Sequence, residues 1–244
     1  MSRIGGFVVA LTATIGLILQ IDNAVAAAIT WSSPQNISAD SDVSTLGSLV
    51  GALNIGGSGV GDTTVNGVDF SGLSVSGTSV TSGVFTLALA TGFSSADGNV
   101  SSNAPFATLS PSYQLLLSSF AGNAAAAPFS LTISGLNIGD QYQFEWWANT
   151  TASSNTDVSA TATNTVTLSS QPSSLVGGLG QFAVGTFTAD SPNEVITFNS
   201  TFQPLLDGLQ LRDITPAPEP PALALLSAGL LALGVTRRQK KKMV

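Results

Sequence analysis

The chain has 244 residues, of which 43% are hydrophobic and only 9% charged, with 14 acidic and 7 basic side chains and neither cysteine nor histidine. That length holds one sizeable domain, or at most two small ones, with a true core. The missing residue types exclude a disulfide framework, a thiolate nucleophile, a histidine general base and a Cys/His metal centre. The bases are Arg3, Arg212, Arg237, Arg238, Lys240, Lys241 and Lys242, so the middle of the chain keeps Arg212 alone against twelve carboxylates from Asp40 to Asp213. Such a body repels phosphate, which excludes nucleic acid as a partner and anionic membrane surfaces as a docking site for the body.

The first segment reads as an address. Arg3 supplies a positive start, Ile4 to Ile21 is apolar and uncharged, and Ala24-Val25-Ala26 has the small-x-small pattern that signal peptidase reads. The expected cut follows Ala26, with a cut after Ala28 as the alternative. An uncleaved anchor helix is the other reading of the same stretch.

From Ile29 to Arg212 the pattern is β, with short Val/Thr/Phe/Leu segments between Gly/Ser/Asn turns. Strands are expected at Ile29–Trp31, Leu49–Ile55, Thr64–Phe70, Val84–Ala90, Phe129–Ser134, Tyr142–Asn149, Asn164–Leu168, Phe182–Ala189, Glu194–Ser200 and Leu209–Arg212. One helix is expected at Ser112–Ala121, after Pro111. Ten strands with turns between them predict an all-β, antiparallel two-sheet sandwich of jelly-roll type over residues 27–214. The glycine-dense "NIGGSGVGD", Asn54 to Asp62, lacks the Lys-Ser/Thr ending of a phosphate loop and precedes a strand rather than a helix, so it reads as a turn.

Two stretches could carry chemistry. Asp40-Ser41-Asp42 sets two carboxylates two residues apart, a fragment of a structural calcium loop. The third acid and the glycine of such a loop are missing, and Asp207 or backbone carbonyls would have to complete it. The alternative is a local turn, with both side chains accepting nearby N–H groups. No other cofactor is indicated. The second stretch is "QYQFEWWAN". Strand alternation places Tyr142, Phe144 and Trp146 on one face, as core. Gln141, Gln143, Glu145, Trp147 and Asn149 share the other. If that face is exposed, Trp147 is a stacking platform for a sugar ring, with Gln143 and Glu145 bonding its hydroxyls. If a loop or the helix covers it, Trp147 is core. Glu145 is also the best candidate acid for a polysaccharide hydrolase, but no second acid lies near it in sequence. Trp31 reads as a core plug.

The last segment, residues 215–244, has three parts in order: Pro218-Glu219-Pro220, an apolar run from Pro221 to Thr236, and the Arg237, Arg238, Lys240, Lys241, Lys242 cluster. As a helix the 16-residue run reaches about 24 Å, short of a hydrocarbon core of about 30 Å. Its basic flank can snorkel and stays cytoplasmic by the positive-inside rule. The flanking prolines hold the carboxylate in extended backbone, a form suited to protease capture.

This tail resembles the PEP-CTERM sorting signal of Gram-negative bacteria, with lysines dominating where family tails often end in arginines. The resemblance implies processing by exosortase, a membrane-embedded thiol protease-transpeptidase, and transient anchoring in the inner membrane. Delivery to the cell surface or an extracellular polysaccharide matrix follows. The body segments "ITWSSPQNISADSDVST", "TTVNGVDFSG", "LTISGLNIGDQYQFEWWAN", "VGTFTAD" and "LDGLQLRDI" are similar to exported β-sandwich domains found on such proteins, and bring no established activity. The expectation is a non-enzymatic, structural or adhesive surface protein. Its partners would be signal peptidase, exosortase, the membrane and extracellular polysaccharide, the last through Trp147 in the carbohydrate-binding alternative.

Overall fold

The computed structural model describes residues 27–96, 99–122, 126–200 and 202–217. The leader with Ala24 and Ala26, and the tail with Pro218, Glu219, Pro220 and the basic cluster, lie outside the described residues. Alternation of apolar and polar side chains builds the sheets. In β10 (Phe129–Ser134), Phe129, Leu131 and Ile133 point inward while Ser130, Thr132 and Ser134 point outward. Its neighbour β15 (Asn193–Ser200) repeats the pattern with Glu194, Ile196 and Phe198 inward.

Two sheets result. The larger runs β1 (Thr30–Trp31), β14 (Gln181–Thr188), β11 (Gln141–Ala148), β16 (Gly208–Asp213), β3 (Ser48–Gly56), β5 (Val68–Ser74), β4 (Thr63–Val65), with β2 (Gln35–Asn36) also pairing β14. The smaller runs β13 (Asn164–Ser169), β12 (Asp157–Ala162), β15, β10, β7 (Phe85–Ala88), β6 (Ser79–Ser82). A short ribbon joins β8 (Ser94–Ala96) to β9 (Phe120–Gly122). β3 and β5 run parallel; the other strand pairs among the described residues are antiparallel.

The two sheets enclose the main core, in which Trp146, Phe144, Phe129, Phe198, Leu131 and Leu211 are buried together. Phe129 and Phe198 face each other across the β10–β15 ladder and stack at 4.9 Å, and Trp146 meets Phe198 edge-on at 5.1 Å. Each such side chain contributes about 1.5–3 kcal/mol by leaving water. Trp31 is half-buried, packs on this core and meets Phe144 edge-on at 6.2 Å. A second core lies on the opposite face of the larger sheet. It holds Trp147, Phe70, Tyr113, Phe106, Leu116 and Phe182 beneath α1 (Pro111–Leu116) and the β4–β5 hairpin.

A two-sheet sandwich is present as expected, but the β3–β5 pair is parallel where all pairs were expected antiparallel, and there are three local differences. Thr64–Phe70 is a hairpin rather than one strand, because Asn66 and Gly67 take φ of 49° and 75° and turn the chain back. Such a positive-φ Asn-Gly pair matches the twist of a two-residue hairpin. The helix ends at Leu116 rather than Ala121. Ser110 caps it by accepting the Tyr113 amide at 3.2 Å, with Pro111 at the first turn. Beyond Leu117 the chain turns to strand, where Ala121 and Leu206 exchange backbone bonds of 3.0 Å. β2, β6, β8 and β12 were not expected, since small and polar residues dominate them, and β9 falls where the end of the helix was expected.

Close packing at β1 is testable. Gly185 lies opposite both Trp31 and Phe144. A Cβ there would sit 2.4 Å from Ile29 Cγ2 and 2.7 Å from the Trp31 ring. Gly185→Ala is expected to destabilise by about 1–3 kcal/mol in urea unfolding. An unchanged midpoint would mean that β1 is not held against β14 as described.

Candidate functional site

β11 occupies the centre of the larger sheet, with β14 on one side and β16 on the other. Tyr142, Phe144, Trp146 and Ala148 enter the main core, as alternation predicts. The opposite face was expected to be wet if it was to bind sugar. Beyond Gln141, which is exposed at the start of the strand, it is not: Gln143 is 8% exposed, and Glu145, Trp147 and Asn149 are 0% exposed. Trp147 is therefore core and no stacking platform. Phe70 meets its ring edge-on at 5.7 Å, Phe182 stacks at 6.4 Å, and its indole N–H donates to the Tyr113 hydroxyl at 3.0 Å. The physical reason is α1 and the β4–β5 hairpin, which bring Tyr113, Leu116 and Phe70 over this face.

The polar groups beneath that cover form a connected set. Glu145 Oε2 accepts the Ser44 amide at 3.1 Å and also a short bond from Gln210. Gln210 in turn donates to the Ser44 carbonyl at 3.1 Å. Arg212 reaches the carbonyls of Thr45, Leu46 and Gly47, and Gln210 Oε1 at 3.3 Å. These bonds pin the 44–47 segment to β11 and β16. Glu145 Oε1 and Gln143 Oε1 are buried without a hydrogen-bond partner. Burial pushes the Glu145 carboxyl up to about 7, against hydrogen bonds from Gln210 and Ser44 that lower it. Burial, and then the charge of Asp42, raise the Tyr113 phenol well above its ordinary value.

Asp40 and Asp42 belong to the same cover. Asp42 Oδ2 accepts the Ser38 and Ala39 amides at 2.6 and 3.0 Å and the Tyr113 hydroxyl at 3.4 Å, and its Oδ1 accepts the Ser38 hydroxyl at 2.9 Å. Asp40 Oδ1 accepts from Ser110, the residue that caps α1, at 2.7 Å. Asp42 thus makes the local turn bonds of the non-metal reading, and Asp40 links that turn to α1. Among the described residues no group of three or more acidic, His or Cys side chains is arranged to hold a metal ion. Asp207 does not join them. It is fully buried at the far end of β11, where its Oδ2 accepts the Asn149 amide at 2.7 Å, and burial raises its carboxyl well above the ordinary range. Neither Glu145 nor Asp207 opens onto a cleft.

Sequence reasoning passed over the tie between Arg212 and the 45–47 carbonyls. Arg212 being the body's single base was the available signal. On the surface, one shallow depression is lined by Ala28, Thr30, Gln141, Thr186, Thr188 and Ile214, so it lies where the chain enters and leaves the sandwich.

The chain is thus a β-sandwich protein. No family model matches it, and neither does any curated protein. Among solved structures it is similar to the CBM35 from Cellvibrio japonicus Abf62, at 21% identity and a TM-score of 0.27, over 38% of this chain and 72% of that one. It is also similar to an exo-beta-1,3-galactanase from Phanerochaete chrysosporium with beta-1,3-galactotriose. That match has 16% identity and a TM-score of 0.29, over 59% of this chain and 30% of that one. At such TM-scores neither likeness carries an argument about function.

The buried Glu145 gives a pH signature. Its carboxyl is raised in the fold, so between pH 4.5 and about 7 the native state holds a proton that the unfolded chain has released. Stability then falls as pH rises through that window and levels above it. The contribution is on the order of 3 kcal/mol at most, at about 1.4 kcal/mol per pH unit. Glu145→Gln keeps an oxygen for Ser44 and removes the titration. Its unfolding free energy should lose less than that of wild type between pH 4.5 and 7. Parallel pH profiles would show that Glu145 does not titrate there.

Proposed function

We propose that the protein is an exported, non-enzymatic component of the cell surface or extracellular matrix, with a jelly-roll-like body that serves a structural or adhesive role. In this reading signal peptidase removes Met1–Ala26. The tail then holds the body in the inner membrane until exosortase acts at Pro218-Glu219-Pro220. The observation that carries the reading is the position of the two ends. Ala28 and Ile214 line one depression, and Thr215 is still bonded to the body through its hydroxyl, which accepts the Gln141 amide at 2.8 Å. A leader and a tail that leave from the same end suit a body presented away from one membrane. The charge supports it too: the acidic body carries one cation, Arg212, and that is buried, so little would draw the body onto anionic lipid.

The mature protein released by a host with an exosortase should lack the segment after about Pro220 by intact mass. Surface-released protein that retains Lys240–Lys242 would overturn the sorting reading.

A second reading, contact with extracellular polysaccharide, is favoured by a specific surface rather than by Trp147. The outer face of the smaller sheet presents hydroxyls and amides in register. Ser130 lies opposite Thr197, Thr197 opposite Thr161, and Ser159 opposite Asn199. Pairs such as Thr161–Thr165 and Thr81–Thr86 bond to each other at 2.9 Å. Uncharged hydroxyl arrays match the hydrogen-bonding of sugar polymers without demanding charge. In co-sedimentation with the producing cells' extracellular polysaccharide, Thr161→Lys/Thr197→Lys should bind at least tenfold more weakly, a loss of about 1.4 kcal/mol. Equal binding would remove that face from consideration.

A further inference from the structure

β15 alternates strictly, and its inward positions are Glu194, Ile196 and Phe198. A carboxylate therefore points into the space between the sheets, where its neighbours two and four residues on are apolar core. Glu194 is 1% exposed. Its Oε1 has no hydrogen-bond partner, and its Oε2 accepts the backbone nitrogen of Ala27 at 2.8 Å. Ala27 is itself 5% exposed and belongs to the main core. Buried carboxylates are retained where something positive meets them. The body's single side-chain cation, Arg212, is committed to the 45–47 carbonyls on the other face of the larger sheet. A neutral amide from Ala27 is a poor counterpart, and with it burial pushes the Glu194 carboxyl up to about 7, with Asp190 adding to the rise.

We propose that cleavage after Ala26 makes Ala27 an α-ammonium group that forms a buried ion pair with Glu194 and fastens the new N-terminus into the core. The inference rests on the signal-peptide reading above. Hydrolysis of the Ala26–Ala27 bond places the hydroxyl of one water on the Ala26 carbonyl carbon and its proton on the Ala27 nitrogen. The amine then takes a second proton from solvent. The product carries donors for both oxygens of Glu194, including the one left without a partner. The geometry also separates the two cuts. A cut after Ala28 would remove the Ala27 nitrogen that Glu194 Oε2 accepts. Charged groups facing the pair are Glu194 from β15 and Asp190 from the turn before it, and both favour a protonated amine.

The test uses the full chain, exported with its leader from a Gram-negative host and recovered mature. N-terminal sequencing reads the cut. Amine acylation with acetic anhydride, followed by mass spectrometry of the N-terminal peptide, then reads the environment of the α-amine. Apart from Lys240, Lys241 and Lys242, the chain has no lysine, so the signal is clean. The expected result is a first residue of Ala27, with an amine that reacts at pH 8 at least tenfold more slowly in the native protein than in urea. Its reactivity should also titrate at least one unit above the ordinary α-amine range of about 7.7–8.0. Glu194→Gln should return that midpoint to the ordinary range or below, because burial without a carboxylate disfavours the ammonium. Should Glu194→Gln fail to fold, the wild-type midpoint alone decides. A first residue other than Ala27 would overturn the cleavage reading and the ion pair together. A first residue of Ala27 whose amine titrates normally in the native wild type would overturn the ion pair and leave the cleavage reading standing.

Discussion

The burial of β11 on both faces is the constraint to which the rest of the body answers. A strand hydrogen-bonded on both edges by β14 and β16 and covered on both faces has no water to satisfy its side chains. Every polar residue on its second face must then find a protein partner or stand unsatisfied. Gln210 and the Ser44 amide supply partners for Glu145, Arg212 holds Gln210 in turn, and Tyr113 supplies a partner for Trp147. Those bonds draw the 38–47 segment and α1 onto the sheet. The cover and the polar face therefore specify each other, and the molecule has three layers rather than two.

Local pattern was enough for the strands that alternate cleanly. β10 runs from Phe129 to Ser134, as its sequence predicts, and β13 and β15 start within a residue of expectation. Strands built from Ser, Thr, Ala and Gln were invisible because their outward and inward residues differ too little in polarity, as in the "DVSATA" of β12. The Asn66-Gly67 turn was legible and was overlooked inside an apparently continuous run. Trp147 marks a different limit. Alternation placed it opposite Trp146, which is correct, but alternation says nothing about what lies beyond the second face. The groups that decide it, Phe70, Tyr113 and Phe182, come from three distant stretches of the chain. Likewise, Glu194 reads as an ordinary surface acid until the register of β15 turns it inward.

The two connections of the body share one end of the sandwich, and the inward carboxylate of Glu194 sits against the Ala27 nitrogen there. The opposite end is formed by the loops after β11 and β13. There Asn99 bonds the amide and hydroxyl of Thr151, and Gln171 donates to the Thr150 and Leu175 carbonyls. Leu175 and Val176 are exposed on that end, 65% and 55%. The chain-bearing end has exposed apolar tips of its own, Leu46 and Ile138, at 58% and 67%.

Scarcity of positive charge has one more consequence. Between Arg3 and Arg237 the chain offers trypsin-like enzymes a single basic residue. That residue, Arg212, is 7% exposed, lies within β16 with ladder partners on both sides, and has its guanidinium enclosed by carbonyls. Cleavage there requires the central sheet to open, since a protease must draw the chain into extended, unpaired form. An environment rich in enzymes that cut after lysine and arginine would find nothing to hold on the folded body, whereas any tail still attached to it carries five basic residues near its end.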